Sequence, residues 1–236
     1  MDPTKNKAFV HGVPGEQARA RGVLRAFLPL MGVVFLAGLF LGLAGPRVPY
    51  VCVGSGLLVV GALLIWNVRD GLRNVNAFFK GARGEERVAL LLEGLPRGYH
   101  VFHDFTCARA ETIDHVVIGP RGVFVIETKC WEGQVTCEEG TLLVSGETPS
   151  RPPIEQAKKS ASRLDAFFAL RLSSVPVCNP VVCFASNTLA LSYIVVDGIT
   201  ICNASELTVF ILGHAECMST DDCERIVKMM EQKTNE

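Results

Sequence analysis

The sequence lacks Cys-x-x-Cys pairs, although nine cysteines occur among its 236 residues. A zinc knuckle needs paired ligands at each end, so the cysteine spacing excludes the common structural zinc modules. A chain of this length can also build its own core without a disulfide framework. We therefore expect reduced, partly buried thiols in a reducing compartment.

An excess of charge of either sign is also missing, because the formal net charge is −1 and the sequence pI is near 6.5. A protein without a global positive field does not attract nucleic acid over long distances. Any contact with phosphates must therefore come from a local basic patch or from a bound metal ion.

Apolar residues, by contrast, are abundant in the first third of the chain. Hydrophobic residues make up 49% of the sequence, and the mean hydropathy is +0.30. Two uncharged runs, 26–45 and 48–67, each match the roughly 20 residues that a helix needs to cross a bilayer. A short turn at Gly45, Pro46 and Arg47 joins them. We therefore predict a hairpin of two transmembrane helices that contacts the lipid bilayer through residues 26–67.

Basic residues flank this hairpin on both outer sides. They are Lys5, Lys7, Arg19, Arg21 and Arg25 before it and Arg69, Arg73, Lys80 and Arg83 after it. The positive-inside rule then places both termini and the domain that follows in the cytoplasm. A cleaved signal peptide is an alternative for the first run, but its apolar part would be shorter. A buried hairpin in a soluble core is another, although the charge asymmetry would then be a coincidence.

Small residues recur within the two runs and allow either close packing of the helices or formation of a homo-oligomer. They are Gly38, Gly42, Gly54, Gly56 and Gly61.

The pattern of the remaining chain predicts a mixture of helices and strands. Residues 1–25 form an N-terminal segment and 68–80 a linker. Amphipathic periodicity and β-branched runs then indicate helices at 82–95, 154–172, 204–212 and 219–232 and strands at 99–105, 112–118, 123–129, 134–137, 141–144, 175–184, 191–196 and 199–202. This order predicts an α/β or α+β domain over 81–213, followed by a helix within 214–236 that we expect to be a solvent-facing cap.

Two carboxylates and a lysine are expected to meet within this domain. Side chains alternate along a strand, so Glu127 and Lys129 lie on one face and Thr128 on the other. Antiparallel pairing around the turn at 119–122 brings Asp114 towards Glu127. Carboxylates hold a hard cation such as Mg²⁺, the cation activates a water molecule, and the lysine orients or deprotonates that water or neutralises charge. This set predicts phosphodiester hydrolysis; the alternative is an ordinary surface ion pair at a strand end.

The motifs around these residues make the prediction more specific. They are Gly81-Ala82-Arg83-Gly84-Glu85, Ile113-Asp114-His115, Gly122-Val123-Phe124-Val125-Ile126-Glu127-Thr128-Lys129 and Gly133. Their succession resembles the nuclease-related domain, a family grouped with the PD-(D/E)xK nucleases, over roughly residues 80–210. The resemblance implies a restriction-endonuclease-like fold, in which helices flank a mixed sheet. It also implies a Mg²⁺- or Mn²⁺-dependent nuclease with DNA as the expected substrate, although nothing in the sequence itself separates DNA from RNA.

The resemblance extends the predicted site beyond Asp114, Glu127 and Lys129. It implies that Glu85 assists at the metal site. It also implies that Gln156 matches the glutamine of the family's Asn-Pro-x-x-Gln element, although Arg151 or Pro152 stands at the asparagine position. The main-chain carbonyl of Thr128 is a candidate third metal ligand.

Basic residues on and before the helix at 154–172 are candidates for phosphate contacts. They are Arg151, Lys158, Lys159 and Arg163. Such contacts would make nucleic-acid binding salt-dependent. The alternative is a solvated helix face, which is the more common origin of such a basic stripe.

Two other functions remain open for the whole chain. One is a non-catalytic, membrane-tethered module that binds nucleic acid or acts as a scaffold while keeping the nuclease fold. The other is a membrane protein whose domain binds a protein partner and no metal. The sequence does not indicate whether a substrate is single- or double-stranded, whether cleavage is internal or terminal, or what physiological role the protein has.

Overall fold

A computed structural model of the chain describes residues 7–43, 50–108, 111–172, 174, 176–186, 188–190 and 192–234. The chain divides into two compact units. One unit is Gln17–Lys80, and the other combines Met1–Glu16 with Gly81–Glu236.

The described residues form five helices and nine strands. The helices are α1 (Glu16–Leu43), α2 (Tyr50–Leu92), α3 (Pro153–Ala169), α4 (Ala204–Gly213) and α5 (Thr220–Thr234). The strands are β1 (Phe9–His11), β2 (His100–Ala108), β3 (Glu111–Gly119), β4 (Gly122–Lys129), β5 (Val135–Glu138), β6 (Thr141–Val144), β7 (Cys178–Phe184), β8 (Tyr193–Val196) and β9 (Ile199–Asn203).

A seven-stranded mixed sheet in the order β1-β2-β3-β4-β7-β9-β8 organises the larger unit. Strands β2, β3 and β4 pair antiparallel, whereas β4, β7 and β9 pair parallel. The hairpin β5-β6 forms a separate two-stranded sheet. The predicted mixed sheet flanked by helices is confirmed.

Strand β4 is the centre of this sheet, and its sequence explains why. Every residue from Gly122 to Thr128 is buried, and only Lys129 is partly exposed. A strand covered on both faces carries an almost continuous apolar run instead of an alternating one. The run Val123–Ile126 meets this requirement, so the charged residues that follow lie where the covered part of the strand ends.

Helices cover both faces of the sheet. On one face Val123 and Val125 pack with Leu164 and Phe168 of α3 and with the buried stripe of α5. On the other face Phe124 and Ile126 pack with the last turns of α2 and with α4. The first turns of α3 reach over β7 and β9 towards the β5-β6 hairpin. Helix α3 begins at Pro153, where the missing amide breaks no helical hydrogen bond.

The unit Gln17–Lys80 contains most of α1 and the first part of α2, which contact each other in an antiparallel arrangement. A Cβ atom built on Gly22 would lie 2.7 Å from Phe78, and one built on Gly56 would lie 2.7 Å from the ring of Phe40. The guanidinium of Arg25 lies 5.4 Å from the ring centroid of Phe78. Glycine therefore permits close approach at both ends of the helix pair.

The other predicted packing glycines do not take part in this contact. Gly38, Gly42, Gly54 and Gly61 have open space where a Cβ would lie. Only Gly56 of the predicted set brings the helices together, and a role of the others in a homo-oligomer stays a prediction.

One described segment, Glu16–Phe40, is long and apolar enough to cross a membrane, with a mean hydropathy of 2.1 and none of its apolar window buried. The second predicted span, 48–67, contains a shorter apolar helix, Gly54–Trp66. That residues 48–67 cross the membrane therefore stays a prediction. The predicted turn at 45–47 lies outside the described residues.

Three boundaries differ from the sequence-based predictions. Residues 68–80, predicted as a linker, belong to the continuous 43-residue helix α2. Residues 9–11, predicted to lie in a separate N-terminal segment, form β1 and pair parallel with β2. Helix α5 is not merely a solvent-facing cap, because Cys223, Ile226 and Met230 are buried in the core. In each case contacts distant in sequence override a weak local pattern.

Candidate active site

The end of strand β4 carries a nearly buried ion pair. The Nζ atom of Lys129 lies 2.5 Å from Oε1 of Glu127, and these side chains are only 15% and 11% exposed. By strand alternation both point to the face that α3 covers, on the same side as Val123 and Val125. An ordinary surface ion pair is solvated on most sides. This pair is not, which favours a specific role for it.

Asp114 reaches the same end of β4 from the neighbouring strand. The register of β3 and β4 runs from Gly119 opposite Gly122 to His115 opposite Ile126, so the next step puts Asp114 opposite Glu127. The side chain of Asp114 bridges the strands at this point, because its Oδ2 accepts a hydrogen bond of 2.8 Å from the Thr128 amide. The predicted proximity of the two acidic residues is therefore present.

Electrostatics in this cluster are dominated by negative charge. Burial raises the pKa of the Asp114 carboxyl well above its usual range, and the charges of Glu127 and Glu85 raise it further. The Lys129 ammonium and the hydrogen bond from the Thr128 amide act in the opposite direction. Three carboxylates thus share one ammonium, and a further positive charge would relieve their repulsion.

Glu85 reaches the cluster because α2 passes very close to the ends of β4 and β7. A Cβ atom on Gly84 would lie 2.7 Å from the Cβ of Cys130 and 3.4 Å from that of Ala185. Arg87, one turn away, donates a hydrogen bond of 3.1 Å to the Ala185 carbonyl. The Gly-Glu sequence is therefore explained: the glycine allows the approach, and the next residue supplies the carboxylate.

The donor atoms at this end of the sheet suit a hard divalent cation. Among the described residues, Oδ1 of Asp114 and Oε2 of Glu127 have no hydrogen-bond partner. Across the same ranges there is no group of three or more His, Cys, Asp or Glu side chains arranged to hold a metal. Mg²⁺ commonly binds through one or two carboxylates and keeps several waters. Two carboxylates therefore fit a hydrated Mg²⁺ or Mn²⁺ but not a site built from side chains alone.

Gln156 lies in the first turns of α3, on the sheet face to which Glu127 and Lys129 point. Its Oε1 atom is buried, and no described residue gives it a hydrogen bond. An unpaired buried polar atom costs free energy, so this oxygen is ready to accept a donor. The carbonyl of Thr128 stays a candidate ligand, while the buried Oγ1 of the same residue also lacks a partner among the described residues.

The predicted phosphate contacts are less well supported by the geometry. Lys158 lies 3.2 Å from Asp197 and 3.6 Å from Glu155, two exposed carboxylates that would compete with a phosphate for its ammonium. Arg151 is exposed just before α3. Lys159 and Arg163 both have interactions within the protein. Their contact with phosphates stays a prediction.

The structure thus brings together Asp114, Glu127 and Lys129, with Glu85 beside them, and leaves Gln156 on the facing helix. Arg87 was missed by the sequence analysis. It lies two residues after Glu85, the last residue of that motif, and this proximity is the signal that could have identified it.

Comparison with known proteins gives a family match over the same region. Residues 80–185, a little under half of the chain, match the family model described as nuclease-related domain. An uncharacterized protein of Bacillus anthracis is 42% identical over 62 residues, which cover 24% of this chain and 29% of that protein. The chain therefore spans less than a third of this relative. No solved structure matches.

Proposed function

Because residues 80–185 of this chain form a nuclease-related domain, we propose that it is a membrane-anchored nuclease that uses Mg²⁺ or Mn²⁺ to hydrolyse phosphodiester bonds of DNA. The observation that best supports this proposal is the nearly buried cluster of Asp114, Glu127 and Lys129 at the end of β4. A domain without catalytic use for these charges would bear their desolvation cost for no benefit.

In this proposal Asp114 and Glu127 hold the divalent cation through their oxygens. The cation supplies Lewis-acid polarisation of the phosphate and a water of lowered pKa. Asp114 must be ionised to bind, and the Thr128 amide helps by donating to Oδ2 and fixing the carboxylate's orientation. Glu127 is held in place from the other side by Lys129.

Lys129 is proposed to act on the phosphate and the attacking water. Its ammonium carries three N–H donors, of which the contact with Glu127 uses one. The remaining donors can orient the water and stabilise the negative charge that grows on the phosphate oxygens. A preoriented donor in a poorly solvated site stabilises such charge far better than one in water.

Glu85 and Gln156 are proposed to support this chemistry. Glu85 adds a third negative charge that increases the attraction for a cation. Gln156 offers a buried Oε1 without a partner among the described residues, which can accept a hydrogen bond from a bound water.

The cleavage test uses the full-length protein in detergent. Single- and double-stranded DNA and RNA are incubated with Mg²⁺, Mn²⁺ or EDTA, in parallel with the Asp114→Asn and Lys129→Met variants. Glu138→Gln, an exposed carboxylate on β5, is the matched control. The proposal predicts metal-dependent cleavage of DNA that both site variants abolish and the control retains.

Each other result has a defined meaning. Equal cleavage by wild type and both site variants would identify a contaminating nuclease. Nucleic-acid binding without cleavage would favour the non-catalytic module. The closed pair of Glu127 and Lys129 is the observation that favours that second function, because it occupies one carboxylate oxygen.

We further propose that residues 26–67 anchor the protein through two spans with the domain in the cytoplasm. Support comes from the apolar, unburied segment Glu16–Phe40 and from the antiparallel contact of α1 with α2. The pairing of β1 with β2 adds a new argument. Strand β1 precedes α1 and β2 follows α2, so both ends of the helix pair must lie on one side of a membrane.

Thiol labelling tests this topology. Cys217 is exposed in the domain, and Arg47→Cys adds a thiol between the predicted spans. A membrane-impermeant maleimide applied to intact cells should label the residue-47 thiol but reach Cys217 only after permeabilisation. Labelling of Cys217 in intact cells would contradict the proposed orientation.

A further inference from the structure

A second concave site lies at the end of the sheet opposite the carboxylate cluster. A cavity of about 630 Å³ opens between the β3-β4 turn, the residues that follow α3, and α5. Gly122 at the start of β4 and Asn179 at the start of β7 line its floor. The carboxylates follow at the other end of β4, which at 3.3 Å per residue is roughly 20 Å away.

Three guanidinium groups from three different elements border this cavity. They are Arg121 in the β3-β4 turn, Arg171 after α3 and Arg225 on α5. A neighbouring groove of about 450 Å³ shares Arg171 and Arg225 and adds Lys228 and Lys233. Basic residues that converge from separate elements indicate a site for an anion more strongly than a stripe along one helix does.

The acidic residues nearby do not cancel this charge. Arg121 lies 3.5 Å from Glu216, which is 70% exposed, and Arg225 lies 2.8 Å from Asp222. Surface pairs of this kind are weak and exchange readily with water. Arg171 has no carboxylate partner among the described residues.

Arg171 is also held in a defined orientation. Its Nη1 donates to the carbonyl of Phe167, and its guanidinium lies 4.2 Å from the centroid of the Phe167 ring. Stacking on one face leaves the edge of the guanidinium fork available for a planar or tetrahedral anion. A side chain that is already oriented loses less entropy on binding.

Part of the cavity wall is apolar, although Ser174, His214 and Asp222 also line it. Leu172, Met218 and Ile226 line it together with Val177, which is 78% exposed. A small inorganic anion would leave this wall unused. A ligand that combines a phosphate with a flat or apolar part would contact both surfaces, and the volume is within the range of small-molecule sites.

We propose that this cavity binds a small phosphorylated ligand of the nucleotide class. Arg171 and Arg225 hold the phosphate, in part by bidentate hydrogen bonds, and Leu172 and Ile226 contact the base or sugar. The site is separate from the proposed nuclease centre, so it does not depend on catalysis.

Isothermal titration of the full-length protein in detergent tests this proposal. The probes are AMP, ADP, inorganic phosphate and a single-stranded oligonucleotide, and the variants are Arg171→Gln and Arg225→Gln. Arg97→Gln, an exposed arginine outside the cavity, is the matched control. Arg171→Lys keeps the charge but loses the fork, so it reports on the site if the glutamine variant does not fold.

We expect saturable binding of AMP or ADP that each glutamine variant weakens at least about tenfold, since a hydrogen bond to a charged group contributes about 1.5–3 kcal/mol. The control should bind as the wild type does, and Arg171→Lys should bind more weakly than wild type. The proposal is overturned if neither nucleotide binds, if the variants bind normally, or if Arg97→Gln is equally impaired. Saturable binding of inorganic phosphate or of the oligonucleotide alone would overturn it as well.

Discussion

The two ends of strand β4 present opposite chemistry on one rigid element. At its carboxyl end Asp114, Glu127 and Glu85 share a single ammonium from Lys129, so negative charge is in excess. At its amino end Arg121, together with arginines from α3's end and from α5, borders a cavity with positive charge in excess. A net charge of −1 for the whole chain conceals both concentrations.

This difference teaches that the charge of a site is set by local topology and not by composition. The carboxylate end is nearly buried, so its charges interact strongly and need a counterion. The arginine end is open, so its charges are solvated and act mainly on a ligand that has several contacts at once. The variants below separate the two ends.

The largest effect is expected for Asp114→Asn. Cleavage should fall at least about 100-fold, because a proposed ligand of the catalytic cation is lost. Stability of the metal-free protein should rise at neutral pH. A raised pKa means that Asp114 contributes stability at low pH that is lost as the pH rises through this pKa, and asparagine does not ionise.

Thermal unfolding in EDTA between pH 4 and pH 8, alongside the cleavage assay, measures this contrast. The wild type should lose stability relative to the variant as the pH increases. Parallel curves for the two proteins would contradict the assigned environment of Asp114. The Glu138→Gln control should follow the wild type.

Lys129→Met should destabilise the domain by about 3 kcal/mol, because it leaves Glu127 charged and unpaired in a nearly buried position. Chemical denaturation of the full-length protein measures this change. The double variant Glu127→Gln/Lys129→Met should regain most of the stability while remaining inactive. A double variant as unstable as the single one would show that the pair is held by packing and not by charge.

A smaller effect is expected for the pH dependence of metal binding. Since Asp114 must release its proton to bind a cation, Mg²⁺ affinity should increase by up to about tenfold per pH unit below its raised pKa and then level off. Titration calorimetry at several pH values tests this. Affinity that does not change with pH would show that Asp114 is not a ligand.

The smallest effect is expected at the arginine end. Arg171→Gln and Arg225→Gln should change the rate of DNA cleavage and its dependence on salt less than about twofold, because in our proposal these arginines hold a separate small ligand and not the DNA substrate. The loss of a DNA phosphate contact would instead reduce the salt slope by about one. Cleavage rates from 50 to 200 mM KCl measure this. A smaller salt dependence of the cleavage rate in these variants would show that both ends of β4 belong to one nucleic-acid-binding surface.

Much of the domain could be predicted from the sequence. The hairpin of β3 and β4 was predicted because two β-branched runs flank a Gly-Pro turn, and its register follows from that turn. The same register placed Asp114 opposite Glu127. The catalytic role of these residues stays a prediction, and so do the metal and the substrate.

Other features could not be predicted because they depend on contacts distant in sequence. Three residues, Phe9–His11, are too few to show a strand period, and only pairing with β2 makes them a strand. Residues 68–80 resemble a linker because Gly71 and Gly81 interrupt the pattern, yet α2 continues through them. The three arginines at the cavity lie 50 and 54 positions apart in sequence, so no local motif indicates them.

Strand β1 has a consequence for how the protein is made. His11 and His100, which meet across the first strand pair, are 89 positions apart, and closing a flexible loop of that length costs about 4 kcal/mol. Contacts between α1 and α2, such as that of Gly22 with Phe78, already bring the two ends of this loop close together and so remove most of the entropy cost. During synthesis β1 therefore cannot pair with β2 until the residues of both apolar helices have been made. The sheet therefore gains its edge strand β1 only after α1 and α2 are complete.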